Sequence, residues 1–187
     1  MIHLDHSMII NEGATRRCYR HPDDPGKCLK IEKRPGAANA NELQAYRAVQ
    51  NLLSDYLAEC EPELAVTSEG EALVCELVRD ADGTISPSFS EFLLTEKTDA
   101  TLRRQFLEFF DLIVRHKLCF YDFNPKNFVI QRTEDGFQLK YTDLKSFHKT
   151  KTAFALEKIP FFATLKLKRR STRFIKRYLN QTPSSAQ

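Results

Sequence analysis

The sequence predicts an α+β chain with two lobes, a small antiparallel sheet followed by a mainly helical part. Three observations carry that reading. Short alternating runs separated by turn clusters fill the first third of the chain. The apolar period then lengthens to three or four residues after Gly36. Further on, a strongly apolar helical stretch is followed by a hairpin pattern and a basic amphipathic segment. The 187 residues suit a single domain, with 1–78 as the sheet lobe, 79–164 as the helical lobe, 165–179 as a basic helix and 180–187 as a disordered tail.

Met8–Ile10 leads through Asn11-Glu12-Gly13-Ala14, a hairpin turn, into a strand at Arg16–Arg20. The cluster His21-Pro22-Asp23-Asp24-Pro25-Gly26 breaks the chain before Lys27–Lys33, where Leu29 and Ile31 alternate with Cys28, Lys30 and Glu32. Leu43, Tyr46, Val49, Leu53 and Tyr56 then mark an amphipathic helix from Asn39 to about Leu57, capped by Asn39 or Asn41. Leu64–Thr67 and Ala72–Val78 read as two more strands, and Arg79-Asp80-Ala81-Asp82-Gly83 as the turn between lobes. The following helical region ends in a helix from about Asp99 to Lys117. Its Leu102, Phe106, Phe109, Phe110, Ile113 and Val114 cover more than one face, which places it inside a core. Phe128–Gln131 and Phe137–Thr142 form a hairpin about Glu134-Asp135-Gly136.

Composition excludes several classes. With 42% hydrophobic and 28% charged residues the chain is neither a disordered tail nor a coiled coil. No apolar run reaches the ~18 residues of a membrane-spanning helix, and Met1–Ile10 lacks the cationic start of a signal peptide, so a cytoplasmic protein is expected. The five cysteines, Cys18, Cys28, Cys60, Cys75 and Cys119, form no C-x-x-C pair and are expected to be reduced thiols; zinc ligation is not indicated. The net charge of +3 conceals an asymmetry. Lys158 onward holds eight basic and no acidic residues, whereas residues 1–157 hold 20 basic and 25 acidic ones.

The sharpest local signal is Phe120-Tyr121-Asp122-Phe123-Asn124-Pro125-Lys126-Asn127, between the apolar helix and the hairpin. By itself this octet reads equally as an Asx-type turn or as a device that exposes a carboxylate and a carboxamide together. If the hairpin is centred on Asp135, Asn127 and Asp143 fall opposite each other with Asp122 just upstream. Three oxygen-bearing side chains at one hairpin mouth suit a hard cation such as Mg²⁺, completed by phosphates and water.

The order strand–Lys, helix–Glu, Asp-x-x-x-x-Asn, hairpin, Asp resembles the protein-kinase-like fold from about residue 7 to 145. Cys28-Leu29-Lys30 is similar to its third-strand Lys motif, and Glu42 to the ion-pair partner. Asp122 resembles the catalytic-loop base, Asn127 the metal-binding amide and Asp143 the metal-binding Asp. More narrowly, Arg17-Cys18-Tyr19-Arg20-His21-Pro22, Glu42-Leu43-Gln44-Ala45-Tyr46 and Asn124-Pro125-Lys126-Asn127 resemble the bacterial YrbL family of the PhoP regulatory network.

The kinase resemblance implies ATP and Mg²⁺ as cofactors. Lys30, set by Glu42, would hold phosphates, Asn127 and Asp143 the metal, and Asp122 the proton of an acceptor hydroxyl. Gly13 would remain from the glycine-rich loop, Cys28 would face adenine, and Glu76-Leu77 would offer it backbone groups. The implied activity is phosphoryl transfer to a small molecule or glycolipid.

Departures from the pattern keep a second reading open, a pseudokinase that responds to nucleotide or serves as a regulatory module. The glycine-rich loop is reduced to Gly13, Phe120-Tyr121 replaces His-Arg, Asn124 stands where a Lys is usual, and Asp143-Leu144-Lys145 replaces D-F-G. No A-P-E is present, which implies a truncated helical lobe. The segment Lys166–Arg177, within a basic helix, either packs by Leu167, Phe174, Ile175 and Leu179 or meets an anionic surface or acidic partner. No nucleic-acid-binding motif accompanies it.

Overall fold

Strand β1 (Ile9–Glu12), β2 (Arg16–Arg20) and β3 (Lys27–Glu32) precede helix α1 (Ala38–Leu53), after which come β4 (Cys60–Thr67) and β5 (Gly70–Glu76). Helices α2 (Phe89–Thr95) and α3 (Ala100–Arg115) lead to the hairpin β6 (Phe128–Thr133) and β7 (Gly136–Tyr141). Helix α4 (Pro160–Phe174) continues into a wider π-helical turn over Ile175–Leu179. The computed structural model describes residues 1–118, 122–145 and 160–179, those at 160–163 as backbone only. Cys119, the Phe120-Tyr121 pair and the tail expected to be disordered lie outside the described residues. No helix among them is long and apolar enough to cross a membrane.

The first five strands form one antiparallel sheet in the order β1-β2-β3-β5-β4. The two-residue period of β3 divides its side chains. Leu29 and Ile31 pack with Tyr19, Ala72 and Val74 on one face. Cys28 joins Leu43, Leu73, Cys75 and Leu77 on the other, the face that α1 covers.

Helix α1 is tied to that face by polar contacts that the residue pattern did not reveal. Asn39 and Asn41 are not its cap; the helix follows Ala37, whose side chain makes no capping bond. The Asn39 amide donates instead to Glu32 Oε1 at 2.8 Å, so a carboxylate from β3 faces the positive helix start. The Asn39 side chain, buried, donates to the Lys30 and Glu71 carbonyls and stitches the helix to β3 and β5.

The expected turn between lobes is fastened by Asp80. Its carboxylate accepts from Ser86 Oγ at 2.5 Å, the Arg132 amide at 2.9 Å and the Arg132 guanidinium at 2.5 Å. Arg132 also reaches Glu96 at the end of α2. Asp80→Ala leaves the Arg132 amide and the Ser86 hydroxyl without their acceptor, at an expected cost of about 1–3 kcal/mol. A lowered denaturant midpoint with unchanged slope checks this, and an unchanged midpoint contradicts it.

The helical part closes around aromatic rings. Phe106, Phe109 and Phe110 of α3 pack with Phe89, Phe128 and Tyr141, and α1 adds Val49 and Leu53 to the same core. Asp99 caps α3 by accepting from the Leu102 amide at 2.6 Å. The C-terminal helix begins at Pro160, earlier than its amphipathic pattern indicates, and Pro suits a first helical turn. It buries Leu167, Ser171 and Phe174, and the wider turn places Leu179 in the same core. Phe174 lies 5.2–5.4 Å, centroid to centroid, from Phe106, Phe110 and Phe128. Arg169, Arg170, Arg173 and Arg177 stay on the exposed side.

The cysteines depart from expectation. Cys60 and Cys75 stand opposite each other across β4 and β5 and are joined by a disulfide, whereas Cys18 and Cys28 are free. Strand register, which sequence spacing does not display, brings together two residues 15 positions apart.

Candidate functional site

Lys30 occupies β3, in the middle of the sheet, and points toward α1. Its Nζ donates to Glu42 Oε1 at 2.7 Å and to the Thr142 carbonyl at 2.6 Å. Burial would depress the Lys30 ammonium, but the Glu42 carboxylate and Cys28 together outweigh it and hold the pKa above the ordinary lysine value. Glu42 is 1% exposed and takes a second cation, Arg16 at the start of β2, whose guanidinium lies 2.5 Å from Oε2. A buried carboxylate with both oxygens on cations is rigidly placed.

Arg16 also reaches across to the hairpin end, 3.4 Å from Asp143 Oδ1. Asp143 Oδ2 pairs with Lys145 Nζ at 2.9 Å, and the Lys145 amide donates to Oδ1. Burial pushes the Asp143 carboxyl upward, yet Lys145, Lys30 and Arg16 together hold it below the usual carboxylate range. The site is therefore an alternation of charges, Lys30, Glu42, Arg16, Asp143, Lys145, with both carboxylates buried and the cations partly so.

Asn127 and Asp122 join this cluster through the backbone. Thr142, whose carbonyl receives Lys30, donates its amide to the Asn127 carbonyl at 2.9 Å. Asn127 Nδ2 donates to the Asp122 carbonyl at 3.3 Å, and the Tyr141 hydroxyl donates to that carbonyl at 3.0 Å. The turn Pro125–Asn127 is capped by Asn124, which accepts from the Lys126 amide. The expected pairing of Asn127 with Asp143 is off by one residue. The hairpin turn has two residues, Glu134 and Asp135, so its centre falls between them and Thr142 lies opposite Asn127. Asp143 is one step further on and reaches the cluster through Arg16 instead.

The nucleotide-facing expectations fare unevenly. Cys28 sits on the same sheet face as Lys30, and its thiol donates to the Glu76 carbonyl at 3.7 Å. Of the Glu76-Leu77 backbone groups expected to meet adenine, the amides are engaged within the sheet: Glu76 donates to the Glu59 carbonyl and Leu77 to the Gly26 carbonyl, at 2.7 and 2.8 Å. Strand pairing takes up these donors, as it does most buried backbone groups. Gly13 lies in the exposed β1–β2 turn, and a Cβ there would meet only the Arg16 carbonyl at an ordinary 3.6 Å. The chain's own packing imposes no need for glycine at that point.

Arg16 joins the site from outside the sequence motifs. Cys18 lies opposite Lys30, so the two-residue period puts Arg16 on the Lys30 face as well. A second feature that the motifs do not show lies beside Asp122. A cavity of about 420 Å³ is lined by Asp122, Asn124 and Tyr178 together with Arg170, Arg173 and Arg177 of the C-terminal helix.

The donor set can be tested against the implied cation. Among the described residues no group of three His, Cys, Asp or Glu could hold a metal. One carboxylate, Asp143, and one carboxamide oxygen, that of Asn127, remain; the Asn127 nitrogen is engaged with Asp122. These are hard oxygen donors, too few for an all-protein cage and suited to Mg²⁺ completed by phosphates.

The chain is similar to several known proteins. The YrbL protein of Escherichia coli K12 is 24% identical over 144 residues, 73% of this chain and 69% of that protein, and YrbL of Shigella flexneri gives the same figures. Two crystal structures of the Mycobacterium tuberculosis PknI kinase domain, both double mutants, match with TM-scores of 0.48 at 14% and 16% identity. They cover 76% of this chain, which spans 58% and 60% of those domains. The fold is α+β and protein-kinase-like, an antiparallel sheet lobe with its Lys–Glu pair followed by helices and a hairpin. A sequence profile matches residues 2–179, and on that match the chain belongs to the family of the PhoP regulatory network protein YrbL.

Proposed function

We propose that the chain is a phosphotransferase that moves the γ-phosphoryl group of Mg·ATP to a hydroxyl of a small molecule or glycolipid. One observation carries the proposal: Lys30 is clamped by Glu42 at 2.7 Å and hydrogen-bonded to Thr142, next to Asp143. Lys30 would meet the α/β-phosphates, and the oxygens of Asn127 and Asp143 would hold the metal. When bound, Mg²⁺ neutralises charge on the phosphates. Asp122, on the loop before the hairpin, accepts the proton of the attacking hydroxyl. Positioning and charge neutralisation supply most of the rate, because the protein itself forms no covalent bond. The reading belongs in the cytoplasm, where ATP is supplied.

Arg16 and Lys145 favour a second reading. Both place cations on the carboxylate that would bind the metal. A pseudokinase would keep that arrangement and regulate a partner. Thermal unfolding with and without Mg·ATP separates the cases. At ~100 times the dissociation constant, ligand stabilises the folded state by about 2.7 kcal/mol. Stabilisation with turnover of an acceptor panel supports the enzyme, stabilisation without turnover supports the nucleotide-responsive regulator, and no stabilisation removes both nucleotide readings.

A further inference from the structure

We infer that the acceptor carries a phosphate-class anion, which Arg170, Arg173 and Arg177 seat beside Asp122. The inference deepens the phosphotransferase reading and rests on it for the role of Asp122. It starts from the cavity of about 420 Å³, which is lined by three arginines and by Asp122. That volume lies within the ~300–1,000 Å³ of small-ligand sites.

The three arginines are held by the packing beneath them. Phe174, between Arg173 and Arg177 in sequence, is buried in the aromatic core. Arg177 lies over the Tyr178 ring at 5.3 Å, a cation–π contact that limits its motion. Tyr178 is itself 4.9 Å from Phe174, centroid to centroid. Guanidinium groups on so rigid a support recognise planar or tetrahedral oxyanions by paired donors.

Charge decides what such a wall is for. Residues 1–157 are net acidic, and every charged residue from Lys158 on is basic. The fold brings this basic helix to the loop bearing Asp122. A hydroxyl approaching Asp122 meets a carboxylate and, in the proposed complex, the phosphates of ATP. An acceptor bearing its own anion would be repelled there unless cations offset the charge, and the arginines supply them at that place. Phe123, Pro125 and Tyr178 give the cavity an apolar side that fits the face of a sugar or polyol. The ligand class is a phosphorylated sugar or polyol, either free or as a lipid headgroup.

Arg173 is the residue to change, since Arg170 and Arg177 have other interactions within the protein. The full chain is first saturated with Mg²⁺ and a non-hydrolysable ATP analogue, so that the nucleotide site is filled. It is then titrated with glycerol 3-phosphate in one arm and with phosphatidylcholine vesicles, with and without phosphatidylglycerol, in the other. Saturable binding in the first arm identifies a free phosphate ester, and binding only to the phosphatidylglycerol vesicles identifies a headgroup.

Arg173→Gln weakens the binding about tenfold, equivalent to 1.4 kcal/mol. Arg20→Gln, an equal loss of charge at the exposed end of β2, leaves it unchanged. Arg173→Gln keeps the wild-type melting temperature and the full stabilisation by Mg·ATP. Absence of binding in both arms, or equal weakening by both variants, overturns the anion site. Loss of Mg·ATP stabilisation in the wild type, with Arg173-dependent phosphate binding intact, instead removes the phosphotransferase reading and leaves the anion site standing.

Discussion

Asp122→Asn lowers phosphoryl transfer by ~10²–10⁴ and spares nucleotide binding, the range for removal of a positioned general base. The expectation of spared binding comes from how the loop is held. The Asp122 carbonyl, not its carboxylate, receives the Tyr141 hydroxyl and the Asn127 amide nitrogen. A carboxamide side chain leaves those bonds in place, so Asn127 keeps its position and Lys30 keeps its contact with Thr142. Single-turnover transfer with Mg·ATP, measured beside thermal stabilisation by the nucleotide, reads the two effects separately. Turnover unchanged in the variant would remove Asp122 from the mechanism. Stabilisation lost together with turnover would show that it binds nucleotide or supports the fold.

The elements of this fold were largely legible because they follow from period and punctuation. Leu29 and Ile31 alternating with Cys28 and Lys30 gave β3 its two faces, and the observed packing divides there. The apolar spacing of Leu102, Phe106, Phe109 and Ile113 placed α3 in the core. What escaped was set by tertiary register. Asn39 sits at a helix start, where Asn usually caps, but β3 and β5 offer it buried carbonyls and Glu32 serves the helix amide in its place. One residue of turn length separates Asn127–Asp143 pairing from the observed Asn127–Thr142 contact. The Cys60–Cys75 bond likewise depends on which residues face each other across two strands.

The candidate site divides in the same way. Lys30 and Glu42 were recognisable because an ordered set of polar residues accompanied them, and the structure joins them directly. Arg16 has no such signature in a chain with 28 Lys and Arg residues. Its role follows from sharing the sheet face of Lys30 and reaching both carboxylates. Arg173 could be read as a solvated cation on an amphipathic helix. Only the docking of that helix beside Asp122 puts it on the wall of the same cavity.

The crowding of cations around Asp143 makes its substitution the second decisive test. Asp143→Asn removes the carboxylate that Arg16, Lys145 and, at longer range, Lys30 surround. A neutral carboxamide there leaves the cations without their anion and offers a divalent ion only a weak donor. The expected result is loss of the metal-dependent part of nucleotide stabilisation, a share of the about 2.7 kcal/mol that Mg·ATP gives at ~100 times the dissociation constant, together with loss of turnover. Melting with ATP in Mg²⁺ and with ATP in chelator measures that part as a difference. ATP without metal should still stabilise Asp143→Asn, because Lys30 and Arg16 remain to meet phosphates and one neighbouring negative charge is gone. An undiminished Mg²⁺-dependent difference in the variant would show that Asp143 serves only to hold Arg16 and Lys145. The charge cluster would then be a structural clamp between the sheet and the hairpin, and the metal would have to be placed elsewhere.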